Sequence, residues 1–158
     1  MCYNFSMKKY YYSQAFVLFL GTIIAFLSVY DDFVRFYGAE GTIFKIENCV
    51  YPNPVLTPCF YGASAFLGAF FWTLFILKKN EKVLRVQQEK YLSWFLVGGT
   101  IFAWGNFAKL SFDYFEGSRF GCSGAPMILP FFTPCFYGSA LFLLTLIISR
   151  VILKKETR

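Results

Sequence analysis

Cysteine is where this sequence keeps its reactive chemistry, and its spacing repeats. Cys59 sits in Thr57-Pro58-Cys59-Phe60-Tyr61-Gly62, and the same six residues return as Thr133-Pro134-Cys135-Phe136-Tyr137-Gly138. Thr is a good residue to precede a helix and Pro suits its first position, which puts each cysteine in the first turn. There it meets unpaired backbone N–H groups and the positive end of the helix dipole, a setting that favours thiolate. A second cysteine precedes each motif, Cys49 before Cys59 and Cys122 before Cys135. Cys2 stands apart near the N-terminus. Histidine is absent from the chain, so the commonest ligand and proton shuttle near neutral pH is missing and no metal site is expected.

The elements that must carry these cysteines form a tandem repeat. From Thr57 to Lys79, 12 of 23 positions are identical to those at 133–155, without a gap. Upstream, Leu18, Gly21-Thr22-Ile23 and Ala25 match Leu96, Gly99-Thr100-Ile101 and Ala103 at an offset of 78. The chain is one unit of roughly 75 residues written twice, over 10–82 and 88–158, and an internal repeat constrains every later step.

Composition names the solvent. Hydrophobic residues make up 57% and charged residues 15% of the 158 residues, against ~45–50% and ~25% in soluble domains. Four apolar segments, at 14–31, 56–77, 91–112 and 130–151, each approach the ~20 residues that cross a bilayer. The first continues without a small-residue cleavage site and reads as a retained helix. The expected fold is all-α: a single membrane domain over 1–158 with four transmembrane helices. They form two parallel-repeat hairpins about a pseudo-twofold axis along the membrane normal. Small residues such as Gly62, Gly68, Gly98, Gly99 and Gly138 are expected where helices approach closely.

Charge sets the orientation. Residues 1–14 carry +2, 78–90 carry +3 and 150–158 carry +3, while 31–55 carry −2 and 113–129 carry −1. Basic connectors remain cytoplasmic, so both termini are expected inside and the loops 31–55 and 113–129 on the exoplasmic side. The surplus of +6 is therefore a topology signal, and no nucleic-acid partner is expected. Tyr10, Tyr11, Tyr12, Tyr91 and Trp94 fall at the inner boundary. Tyr30, Phe36, Tyr37, Tyr61, Tyr114 and Tyr137 fall at the outer one, as aromatic belts do.

With that orientation Cys49, Cys59, Cys122 and Cys135 face an oxidising compartment, where an even count argues for disulfides. Pairing within each loop, Cys49–Cys59 and Cys122–Cys135, respects the repeat. Cys59–Cys135 across the pseudo-axis is the symmetric alternative. Asp31-Asp32 reads as a solvated helix boundary, and Ser28 with Asn106, aligned in the repeat, as an interhelical hydrogen-bond site.

The layout of four helices, inner termini and a cysteine pair in each outer loop resembles the DsbB type of disulfide-generating membrane protein. It is more distantly similar to the vitamin K epoxide reductase type. The resemblance implies electron transfer from a protein thiol through cysteine pairs to a quinone. Those families use Cys-x-x-Cys, whereas nine and twelve residues separate the pairs here. On that reading Cys59 and Cys135 are nucleophiles, Cys49 and Cys122 their partners, and Phe60, Tyr61, Phe136 and Tyr137 the walls of a quinone site.

The reading favoured by the sequence is plainer. It is a small polytopic membrane protein with two disulfide-stapled outer loops and no cofactor. It is embedded in the lipid bilayer and packs against partner helices or its own copies as a structural or accessory subunit. The oxidoreductase is the alternative. A transporter or channel has least support, because no ionised residue lies in the middle of any segment.

Overall fold

The computed structural model of the protein describes residues 3–42, 44, 52–117 and 129–157, with side chains from Lys8 onward. Cys2, Cys49 and Cys122 lie outside the described residues. The described chain is helical: α1 (Tyr3–Glu40), α2 (Pro58–Lys78), α3 (Lys82–Phe115) and α4 (Pro134–Glu156). Two short 3-10 turns, Pro54–Leu56 and Pro130–Phe132, lead into α2 and α4.

α1 and α3 run past the apolar segments. At 1.5 Å per residue, their 38 and 34 residues reach roughly 57 and 51 Å. α2 and α4, with 21 and 23 residues, reach roughly 31 and 35 Å. The extensions have a local cause. Residues 82–90 are Lys, Val, Leu, Arg, Gln and Glu, good or adequate helix formers without Gly or Pro, so the helix continues where the apolar run stops. The stretch expected to be a connector at 78–90 is reduced to a turn at 79–81. At the far end of α1, Gly41 takes φ 67° and donates its N–H to the Tyr37 carbonyl, a left-handed stop that glycine adopts without strain. Gly117 does the same after α3 at φ 85°.

Three helices, α1, α2 and α4, are long and apolar enough to cross a membrane. α3 falls short of the four-span expectation on composition. Its apolar stretch is diluted by Ser93, Trp94, Gly98, Gly99, Thr100, Trp104 and Asn106.

The helices form a ring in which α1 packs along α2 and α4, and α3 along α4 and α2. Across the centre, Phe66 of α2 meets Phe142 of α4 with ring centroids 4.0 Å apart. Each ring fits a notch cut by glycine. A Cβ on Gly21 of α1 would stand 2.4 Å from Phe66, and one on Gly99 of α3 would stand 2.7 Å from Phe142. Leu18, Leu96, Ile76 and Ile152 complete a core from which solvent is excluded. The outward surface holds Phe16, Leu27, Phe71, Phe75, Trp94, Ile101 and Ile147, all exposed. A water-soluble bundle buries that stripe, whereas lipid-facing helices present it.

Candidate functional site at the cysteine end

The starts of α2 and α4 lie together at one end of the bundle. Thr57 and Thr133 adopt extended backbone before each helix, with Pro58 and Pro134 at its first position. The expected side-chain cap is not made. Each Thr hydroxyl instead donates backwards, Thr57 Oγ1 to the Pro54 carbonyl at 2.7 Å and Thr133 Oγ1 to the Pro130 carbonyl at 2.5 Å. The threonines thus lock the 3-10 turn onto the helix start. The first-turn N–H groups of α2 and α4 keep no side-chain partner from them.

Between the two starts lies a cleft of about 60 Å³. Cys59 and Cys135 both line it, with Ser28 of α1 and Asn106 of α3. Phe66 and Phe142 line it as well, as do Pro58, Pro134, Gly62 and Gly138. These residues come in pairs 76 or 78 positions apart in the sequence, one from each half of the chain. Cys59 is a half-buried free thiol. The within-loop partner expected for it, Cys49, lies outside the described residues, and no disulfide joins Cys59 to Cys135.

Other expectations fare differently. Phe60, Tyr61, Phe136 and Tyr137 do not line the cleft. Tyr61 and Tyr137 point to the exposed exterior, while Phe136 packs on Phe107 and Phe131 at centroid distances of 5.4 and 5.5 Å. Asn106 donates to the Phe102 carbonyl of its own helix at 2.8 Å rather than across the bundle. Asp32, read as a solvated boundary, is buried and paired with Arg35 one turn on; Asp31 is exposed. Among the described residues no group of His, Cys, Asp or Glu is arranged to hold a metal.

Sequence reasoning overlooked the opposite end. Glu89, counted as a connector charge, is fully buried. Gln14 of α1 donates to its Oε1 at 3.0 Å, and Ser149 of α4 donates to the same oxygen at 2.5 Å. Glu156, also buried, lies 3.9 Å from both Lys82 and Arg85. A signal was present: Glu89 stands three, four and seven positions before Leu92, Ser93 and Leu96, on the stripe that α3 buries.

Comparison with protein-family models, with curated proteins and with solved structures returned no match.

Proposed function

We propose that the chain is a small polytopic integral membrane protein acting as a structural or accessory subunit, through helix packing with partner helices or further copies of itself. In this reading α3 spans the bilayer with the other three helices. The termini are cytoplasmic, and the cysteine end is exoplasmic, since the basic segments 1–14, 78–90 and 150–158 belong to the other side. The observation that carries the reading is the contrast between exterior and interior. Large apolar side chains cover the outside, while the cleft between the cysteines is about 60 Å³. That volume suits a few waters or a small group and is well below the ~300 Å³ and more of ordinary ligand sites.

One observation favours the second reading, a membrane thiol–disulfide oxidoreductase handing electrons to a quinone: Cys59 and Cys135 share one cleft. A quinone there would require α2 and α4 to part.

The two are separated by reconstituting the full chain in nanodiscs with a dithiol reductant and a soluble quinone. The subunit reading expects quinone reduction no faster than in the Cys59→Ser/Cys135→Ser variant. It also expects in-membrane cross-linking that yields a defined oligomer or a partner adduct with or without those cysteines. Catalytic quinone turnover lost in that variant would replace it with the redox reading.

A further inference from the structure

The glutamate end of the bundle holds a cluster of buried polar atoms that its hydrogen bonds leave incomplete. Glu89, Gln14 and Ser149 are fully buried, and Ser93 and Tyr11 very nearly so. Both donors to Glu89, Gln14 Nε2 and Ser149 Oγ, converge on Oε1. Oε2 has no partner, nor have Gln14 Oε1, Ser93 Oγ or the Tyr11 hydroxyl. Four buried polar atoms without partners in one neighbourhood are costly, because each forfeits its hydration.

The asymmetry between the two carboxyl oxygens is informative. Oε1 is served as a carbonyl or carboxylate oxygen is served. Oε2 accepts no hydrogen bond, and of the other unpartnered atoms at this end Gln14 Oε1 can only accept. Oε2 receives no donor, so a negative charge on it would be buried without compensation of its own. A proton on Oε2 removes that charge and supplies a donor at an end where Gln14 Oε1 has none.

We propose that Glu89 is a proton-binding site closing the glutamate end of the bundle: neutral, with its proton on Oε2, it ties α1, α3 and α4 together, and releasing that proton to water loosens this end. Glu89 precedes the apolar stretch 91–112 and so lies at the mouth of the bundle, from which the proton exchanges.

The surroundings favour the neutral form. On α1 Glu89 faces Tyr11 and Gln14, and on α4 Ser149, with Glu156 a further two turns on. Arg85 of α3 is engaged with Glu156 at 3.9 Å rather than with Glu89, and Lys82 likewise. Lys155 of α4 is drawn to Tyr10, whose ring centroid lies 4.0 Å from its Nζ. On α2 the buried residues toward this end are Thr73 and Ile76, neither titratable, and Lys79 lies over the Phe75 ring. Burial pushes the Glu89 carboxyl up to about 7, with the hydrogen bonds from Ser149 and Gln14 pulling the other way. Between its ordinary 4.5 and about 7 the folded chain therefore keeps a proton that the unfolded chain has released. Stability is greatest below that window, declines as pH rises through it, and levels off above it.

The test is a difference infrared titration of the full chain in nanodiscs, comparing wild type with Glu89→Gln and Glu156→Gln. The expected result is a protonated-carboxyl band that fades with a midpoint near 7, disappears in Glu89→Gln and persists in Glu156→Gln. Backbone amides around Gln14 and Leu92 should exchange faster above the midpoint in wild type and Glu156→Gln but not in Glu89→Gln. Should Glu89→Gln fail to assemble, Ser149→Ala decides, since losing that hydrogen bond must move the midpoint up. A band unchanged in Glu89→Gln, or a midpoint indifferent to Ser149→Ala, overturns the proposal. So does a midpoint set by sodium concentration at fixed ionic strength, which would mark a cation site instead.

Discussion

The two ends of this bundle are built from stretches that align at offsets of 76 and 78 in the sequence, yet they differ in kind. At the cysteine end the halves supply like for like: Cys59 with Cys135, Phe66 with Phe142, Gly62 with Gly138. At the glutamate end the same correspondence pairs unlike residues. The position of Glu89 in the second half is held by Tyr11 in the first, that of Leu92 by Gln14, and that of Ser149 by Thr73. Every member of those three pairs is buried. The packing frame is thus kept in duplicate while the chemistry is kept once, in the glutamate-bearing half and its contacts. A paired end suits a joint between two similar hairpins. An unpaired polar end suits a device that responds to its surroundings.

The largest effect is expected where the like-for-like end is most tightly filled. Phe66→Ala and Phe142→Ala each remove a buried ring at the bundle centre and should cost about 3–5 kcal/mol, read as unfolding free energy in a mild detergent. The two losses should be similar, and the double variant should lose less than their sum, because each ring is the other's neighbour. Widely different single losses would break the equivalence of the halves at this end.

Next come the glycine notches. Gly21→Val and Gly99→Val drive a side chain into Phe66 and Phe142, whose rings have each other behind them. Overpacking of this sort costs about 1–3 kcal/mol. Combining Gly21→Val with Phe66→Leu should recover part of the loss, whereas combining it with Phe142→Leu should recover less. The same unfolding measurement checks both.

A smaller and more selective effect separates the ends by pH. Ser149→Ala should shift the acidic-to-neutral stability transition upward, because Ser149 holds the Glu89 carboxyl down. Thr73→Ala, at the matching position on α2, removes a hydroxyl that donates to its own helix at the Ala69 carbonyl, 3.0 Å away. It should leave the midpoint where it is. Melting temperature against pH for the three proteins reads this directly. Equal shifts in both variants would mean that Glu89 is not the group titrating.

Much of the frame was legible in the residues. The apolar segments located every helix, and Thr-Pro located the starts of α2 and α4, because proline at a first helical position has few other uses. Helix ends were less legible. The charged residues 82–90 and 31–40 lack hydropathy but not helix propensity, so α1 and α3 outran the segments expected for them. The hydroxyls of Thr57 and Thr133 turned from capping to the carbonyls of Pro54 and Pro130, an outcome fixed by the 3-10 turns rather than by residue type. The aromatic residues beside the cysteines project away from the cleft because a helix places successive side chains about 100° apart. Glu89 was obscured for a different reason. Counting it with the lysines of its connector hid its place on the buried stripe, and only its register with Leu92 and Leu96 distinguishes it from Glu81, which α3 leaves outside.

The account depends most on both cysteine-bearing helix starts emerging on one exoplasmic face. A membrane-impermeant maleimide tests this in intact cells, on a cysteine-free chain given one cysteine at a time by Tyr61→Cys, Tyr137→Cys, Lys79→Cys or Thr157→Cys. The account predicts labelling at 61 and 137 from outside, and at 79 and 157 only once the membrane is permeabilised. Labelling of 61 and 137 from opposite sides, or of all four without permeabilisation, would contradict it.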